Sequence, residues 1–165
     1  NSVKKYLDIL ERKGYIKRIP NSPRAIEVCA ETPGNQAKLI PVVGRVRAGA
    51  PHLAVEDITG HLAMDASVAR WDDTFFLRVE GDSMIDAHIQ DGDFVLVKSQ
   101  QTAESGDIVV AIINDEATVK RFFKRDDSIY LEPANSTMKP IIIREDQANE
   151  MMIAGKVVTV LRQIK

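Results

Sequence analysis

From Phe75 to Leu161 short apolar runs alternate with turn signals at close spacing, and this cadence limits what the chain can fold into more than any other feature. The runs are Phe75 to Val79, Phe94 to Lys98, Ile108 to Ile113, Ala117 to Lys124, Ser128 to Glu132, Ile141 to Ile143 and Met151 to Leu161. Most are too short for an ordinary helix and are rich in β-branched and aromatic residues, so they read as strands. Asp91-Gly92-Asp93 is a hairpin signal, Gln100 to Gly106 a loop, and Asn114-Asp115-Glu116 and Asp126-Asp127 are turns. Ile108 to Ile113 is apolar throughout, as a buried strand is. Met84 to Ile89 reads as a helical turn, and Glu56 to Asp73, with the single Trp71, as short strand and turn pieces. Strands of this kind bury their apolar faces only against one another, which predicts a mostly β domain, a barrel or paired curved sheets.

Within this pattern, Phe75-Phe76-Leu77-Arg78-Val79-Glu80-Gly81-Asp82-Ser83-Met84 stands apart. Phe75, Leu77 and Val79 alternate with Phe76, Arg78 and Glu80, the period of a strand with one buried face. Gly81 lets the backbone bend sharply, and Ser83 is delivered onto the turn beyond it, where a nucleophile would be displayed. Turn chemistry alone also accounts for a Ser in such a place. The second candidate is Lys120, between Val119 and Arg121 in a strand-like run. Alternation requires that Lys120 or Arg121 point where the apolar residues point. An edge strand blunted by charge is one outcome. The other is a buried Lys120 beside Ser83. Burial disfavours the charged amine and lowers its pKa, and a neutral amine beside a hydroxyl is a general base.

Residues 1–28 have a different texture. Val3, Tyr6, Leu7 and Leu10 fall on one helical face, with Ser2 as an N-cap and Gly14 as a stop. Tyr15 to Ile19 and Ala25 to Val28 read as two short strands about the turn Pro20-Asn21-Ser22-Pro23. Residues 1–25 carry seven basic side chains against two acidic ones, although the whole chain has a net charge of −2. A basic head on an acidic body suits a polyanionic partner. Helix, strand, turn and strand with these charges form the back half of a winged helix, whose helix enters the major groove while the wing meets phosphate. Residues 29–38 are polar, carry Pro33 and Gly34, and read as a linker, which leaves 39–165 as the β-rich domain. Its first part, Leu39 to Arg47, reads as extended and leads into Ala48-Gly49-Ala50-Pro51.

Composition narrows the chemistry further. One Cys, Cys29, permits no internal disulfide or thiolate cluster and reads as a small apolar filler. His52, His61 and His88 have no metal-ligand spacing, so neither metal nor cofactor is expected. The apolar runs are far short of the ~20 residues of a membrane helix, and no membrane association is expected. No Gly-x-Ser-x-Gly elbow, phosphate-binding loop or dinucleotide fingerprint occurs.

Val42-Val43-Gly44-Arg45-Val46-Arg47-Ala48-Gly49-Ala50-Pro51, Val79-Glu80-Gly81-Asp82-Ser83-Met84, Asp91-Gly92-Asp93 and Ala117-Thr118-Val119-Lys120-Arg121 together resemble the LexA family in order and spacing. The resemblance implies a winged-helix remnant at 1–28, a linker at 29–38, and a self-cleaving serine peptidase and dimerisation domain at 39–165. It implies Ser83 as nucleophile, Lys120 as base, the Asp82 and Ser83 backbone N–H groups as oxyanion hole, and Ala48–Gly49 as the bond cut. Val46 and Arg47 would flank that bond as recognition residues; Arg47 is a departure, being long and charged beside a small residue. Asn1, Ser2, Lys4, Lys5 and Arg24 would lie toward DNA. The family's properties further imply a cytoplasmic bacterial homodimer on operator DNA, cleaved on stimulation by RecA on single-stranded DNA in the SOS response. On this resemblance the first two helices of the DNA-binding domain would be missing ahead of residues 1–28. A self-cleaving phage repressor, a UmuD-like polymerase accessory protein, a signal peptidase relative and a non-catalytic β-module are the alternatives; residues 1–28 speak against the second, and the third would need a membrane anchor.

Overall fold

A computed structural model of the chain describes residues 2–19, 25–28, 37–44, 46, 57–144, 146–147 and 151–164. Two compact units emerge, Asn1–Leu39 with Ala63–Arg70, and Ile40–Leu62 with Trp71–Lys165.

The N-terminal part of the first unit is helix α1 (Ser2–Arg12) followed by strands β1 (Ile16–Arg18) and β2 (Ile26–Val28). Ser2 is itself helical, one step inside the capping position expected of it. The two strands pair antiparallel, Ile16 opposite Val28 and Arg18 opposite Ile26. Arg18 ties hairpin to helix: its Nε donates to Glu11 Oε2 at 2.8 Å, and its guanidinium also pairs with Asp8. Both acidic groups of the helix are thereby engaged, while Lys4, Lys5, Arg12, Lys13 and Lys17 are exposed. The apolar stripe is largely uncovered, with Val3 67% and Tyr6 68% exposed. A helix and a hairpin are the whole of this module among the described residues, so a winged helix is not evident here. The turn 20–23 and Arg24, Asn1, and Cys29 to Gln36 lie outside them. Ala37 and Lys38, expected in the linker, already belong to strand β3 (Ala37–Val43).

Among the described residues nine strands share one sheet. After β3 come β4 (Ile58–Asp65), β5 (Thr74–Arg78), β6 (Phe94–Ser99), β7 (Ile108–Ile113), β8 (Glu116–Arg125), β9 (Ser128–Glu132), β10 (Ile141–Arg144) and β11 (Met151–Leu161). Their order across the sheet is β10-β9-β8-β7-β11-β6-β5-β3-β4. The β3–β5 pair is parallel, and β5–β6, β6–β11, β11–β7, β7–β8, β8–β9 and β9–β10 are antiparallel. The chain is mostly β, as the strand cadence anticipates, and these strands pair edge to edge in one large mixed sheet. The cause is β11: its first half pairs with β7 and its second half with β6, with register shifts at Ile153/Gly155 and Val157/Thr159. Such bulges bend a strand without ending its ladder.

Two apolar cores result, one holding Val110, Ile112 and Val119, the other Val109, Ala111 and Phe122. Strand β7 is thus buried on both faces, as its unbroken apolar run anticipates. The single-faced reading of β5 fails, however: Phe76 is 0% exposed along with Phe75 at 1%. Paired on both sides by β3 and β6, the strand lies inside the sheet, and Phe76 meets Phe94 edge to face at 6.5 Å. Asp91-Gly92-Asp93 is not a two-residue hairpin either. It closes a long excursion between β5 and β6, where Val79 N–H donates to Asp93 O at 2.8 Å and Gly92 N–H to Val79 O at 2.9 Å.

Candidate active site

That excursion, residues 79–93, carries Ser83. Ordering a segment costs about 1–2 kcal/mol per residue in backbone entropy, so it needs anchors. Met84 and Ile89 supply two, each 1% exposed within the first core, and burying each such side chain is worth roughly 1.5–3 kcal/mol. Polar ties supply the rest. Gly81, at φ +87, is in a backbone region that side chains resist, and its N–H donates to Asp91 Oδ1 at 2.8 Å. Residues 85–87 form one 3-10 turn.

A carboxylate clamp closes the base of the loop. Asp93 is 1% exposed and accepts two hydrogen bonds from Arg162, Nε to Oδ1 and Nη2 to Oδ2, each 2.7 Å, and one from Gln90 N–H at 2.7 Å. Arg162 Nη2 also donates to His88 O at 3.0 Å. The guanidinium holds the Asp93 carboxyl below the usual carboxylate range, against the opposing effect of burial. A depressed carboxylate pKa adds stability above the unfolded value, and that stability is lost as pH falls through the folded value. Arg162→Met is therefore expected to move acid unfolding to higher pH and to lower the melting midpoint near neutrality. Circular dichroism melts from pH 3 to 7 check this; unchanged acid unfolding would show that the clamp is idle.

Lys120 comes from the centre of β8, opposite Val109 of β7. It is 8% exposed, and its Nζ lies 2.8 Å from Ser83 Oγ, 2.7 Å from Thr118 Oγ1 and 2.9 Å from the Val119 carbonyl oxygen. No carboxylate pairs with it among the described residues. Burial pushes its pKa below the ordinary 10.5, because desolvation penalises the ammonium. The three contacts have a definite chemical reading. An ammonium can donate to all three oxygens. A neutral amine has two N–H groups and a lone pair, and the Val119 carbonyl can only accept. When Thr118 Oγ1 takes the second N–H, the lone pair is left facing the Ser83 hydroxyl. The arrangement can thus accept a proton from Ser83 without any atom moving far.

Ser83 opens on a cleft of about 960 Å³, lined also by Val46, Leu77, Val79, Glu80 and Thr118. Val46 is 7% exposed and belongs to the same core as Val79 and Met84. Arg47, Ala48 and Gly49 lie outside the described residues. Among those described, the N–H groups of Asp82 and Ser83 donate to no protein acceptor.

The structure thus puts Ser83 and Val46 on one cleft, with Lys120 against the Ser83 hydroxyl and Asp82 beside Ser83 in the chain. It leaves Lys4 and Lys5 on the exposed helix of the other unit. Three contributors were missed in the sequence. Thr118 had a visible signal, standing two residues from Lys120 on the same strand face. The Asp93–Arg162 clamp and Asn135, whose Nδ2 donates to Asp82 O at 3.0 Å, had none. Among the described residues no group of His, Cys, Asp or Glu side chains is placed to hold a metal, and no helix is long and apolar enough to cross a membrane.

Residues 41–158 match the family model described as Peptidase S24-like. The chain is 52% identical to the LexA repressor of Geotalea uraniireducens over 99% of its own length and 79% of that protein. It is 48% identical to the LexA repressors of Caldicellulosiruptor saccharolyticus and Halalkalibacterium halodurans, over 99% of its length and 80% of each.

Proposed function

Since the chain belongs to the LexA repressor family and carries its S24-like peptidase domain, we propose that it is a transcriptional repressor of the SOS response that inactivates itself by cutting its own Ala48–Gly49 bond. The observation that carries the chemistry is a buried lysine amine, with no carboxylate partner among the described residues, 2.8 Å from a serine hydroxyl at the wall of a cleft. Ser83 Oγ attacks the Ala48 carbonyl carbon as its proton passes to neutral Lys120. The oxygen of that carbonyl gains negative charge and is met by the N–H groups of Asp82 and Ser83, worth roughly 3–4 kcal/mol of barrier lowering. As the intermediate collapses, Lys120 returns the proton to the departing Gly49 nitrogen. An ester between Ser83 and Ala48 remains. Water hydrolyses it, with Lys120 again taking the proton.

Reach supports attack within one molecule. Val46 lines the same cleft as Ser83, and Ala48 follows Val46 by two residues in the chain. Val46 and Arg47 flank the bond as recognition residues. Cleavage separates residues 1–48 from the peptidase domain, dividing the DNA-binding part from the dimerising part. On this reading the helix and hairpin at 1–28 are the end of a winged-helix domain, joined through residues 29–38 to the domain at 39–165. The exposed stripe of Val3 and Tyr6 suits burial against further helices, and Asn1, Ser2, Lys4, Lys5 and Arg24 face operator DNA. The repressor is a cytoplasmic bacterial homodimer, and RecA on single-stranded DNA stimulates cutting. The basic helix favours this over a UmuD-like accessory role, and the names of the relatives favour it over a phage repressor.

Purified chain held at alkaline pH tests the proposal. Two fragments divided after Ala48 are expected, identified by mass. Because only the neutral amine is a base, the rate should rise about tenfold per pH unit and level off above the folded pKa of Lys120, itself below 10.5. A rate flat from neutral to alkaline pH would remove Lys120 from the role of base, and an intact chain would remove the peptidase activity altogether.

A further inference from the structure

The peptide bond between Asp82 and Ser83 has its two ends differently engaged. Its carbonyl oxygen, on Asp82, accepts from Asn135 Nδ2 at 3.0 Å and from Ile85 N–H at 3.2 Å. Its N–H, on Ser83, has no protein acceptor among the described residues. A peptide unit is planar, so its C=O and N–H point in opposite directions. Whatever fixes the oxygen also aims the hydrogen.

Asn135 is itself held to do this. Its Oδ1 accepts from Thr137 N–H at 3.0 Å and Thr137 Oγ1 at 2.8 Å. An amide oxygen accepts and an amide nitrogen donates, so these two donors decide which end of the side chain faces Asp82. The segment that carries Asn135 is sewn to the serine loop nearby. Asp86 N–H donates to Ala134 O at 2.7 Å, and Ser136 N–H to Asp86 Oδ2 at 3.2 Å. A residue following β9 thereby reaches the nucleophile turn, 53 positions earlier in the chain.

We propose that Asn135 is a positioning residue for the oxyanion site, acting through the Asp82–Ser83 peptide. It holds the plane of that peptide so that Ser83 N–H is aimed before charge develops on the Ala48 oxygen. Its donated hydrogen bond also polarises the unit, which strengthens the N–H at the far end as a donor. The value of an oxyanion donor lies in being oriented in advance rather than at the moment of reaction. This inference rests on the Ser83–Lys120 reading and deepens it.

The test uses the full chain and two measurements, the pH profile of self-cleavage and its inhibition by ethylboronic acid. A boronic acid on Ser83 becomes tetrahedral and places an oxygen where the oxyanion would sit. Asn135→Ala is expected to lower the cleavage plateau about tenfold to a hundredfold, less than the 10²–10³ lost with a donor itself. The midpoint of the profile should not move, because the contacts of Lys120 are untouched. Inhibition by the boronic acid should weaken about tenfold. Asn135→Asp keeps the shape and the Thr137 contacts but sets an acceptor against Asp82 O, so it should lose at least as much; it is scored by the same criteria if the alanine variant does not fold. A wild-type plateau in either folded variant overturns the proposal. So does a loss accompanied by a displaced midpoint, or by unchanged inhibition, since a purely structural loosening would produce those. Cleavage persisting in Ser83→Ala would instead defeat the underlying dyad, and that control is read separately.

Discussion

Ser83→Ala and Lys120→Ala should each leave the chain whole under conditions in which the unaltered protein divides after Ala48, a loss of at least about 10⁴-fold. Neither residue substitutes for the other. Without Ser83 the hydroxyl that the serine loop presents to Lys120 is gone; without Lys120 the Ser83 hydroxyl keeps its proton, as no carboxylate and no other amine is paired there among the described residues. Folding should survive both changes, and the sign of the lysine shift says why. The folded chain holds the Lys120 proton less tightly than the unfolded chain does. Stability therefore rises with pH between the folded pKa and 10.5, the unfolded value. Below that window a charged Lys120 carries its full desolvation cost. Lys120→Ala removes that cost and should be at least as resistant to urea near neutrality as the parent chain, while being inert. Self-cleavage at Ala48–Gly49 in purified Ser83→Ala would refute the assignment, whatever the stability.

Gly155→Ala is expected to cost about 3 kcal/mol of folding stability, a large share of the 5–15 kcal/mol typical of a domain. Gly155 stands where β11 leaves β7 and passes to β6, opposite Val110 on one side and Ser99 on the other. A Cβ there would lie 2.3 Å from the Lys98 carbonyl oxygen and 2.6 Å from Val97 Cγ1. The first is backbone, so relief requires the strands to separate at the crossing that makes nine strands one sheet. Gly60→Ala is the matched control, since a Cβ there meets nothing within 4 Å. Urea unfolding should place the Gly155 variant well below the parent and the Gly60 variant beside it. Equal midpoints for Gly155→Ala and the parent would mean that the crossing is not tight.

Much of the strand layout was legible because its cause is local. Ile108–Ile113, Ser128–Glu132 and Met151–Leu161 have in the structure the limits that apolar runs and turn residues suggest. The sequence from Glu56 to Asp73 shows only fragments where strand β4 runs. That strand lies at the end of the sheet order, and Gly60, His61 and Ala63 dilute its alternation. Alternation puts Phe76 on the face opposite Phe75 but does not tell what covers either face. The basic helix was legible, but the exposure of its apolar stripe was not.

Residue patterns alone determined that Ser83 would follow a sharp bend, that Lys120 would sit mid-strand, and that both belong to a mostly β chain of this family. Tertiary structure alone decided that the two meet at 2.8 Å across 37 positions, that Thr118 and Val119 orient the amine between them, and that Asn135 and Arg162 brace the serine loop from segments that follow distant strands. Periodicity and turn chemistry reach only a few residues along a chain. The approach of two side chains to hydrogen-bonding distance depends on strand register and loop closure, which are settled by how the whole sheet packs.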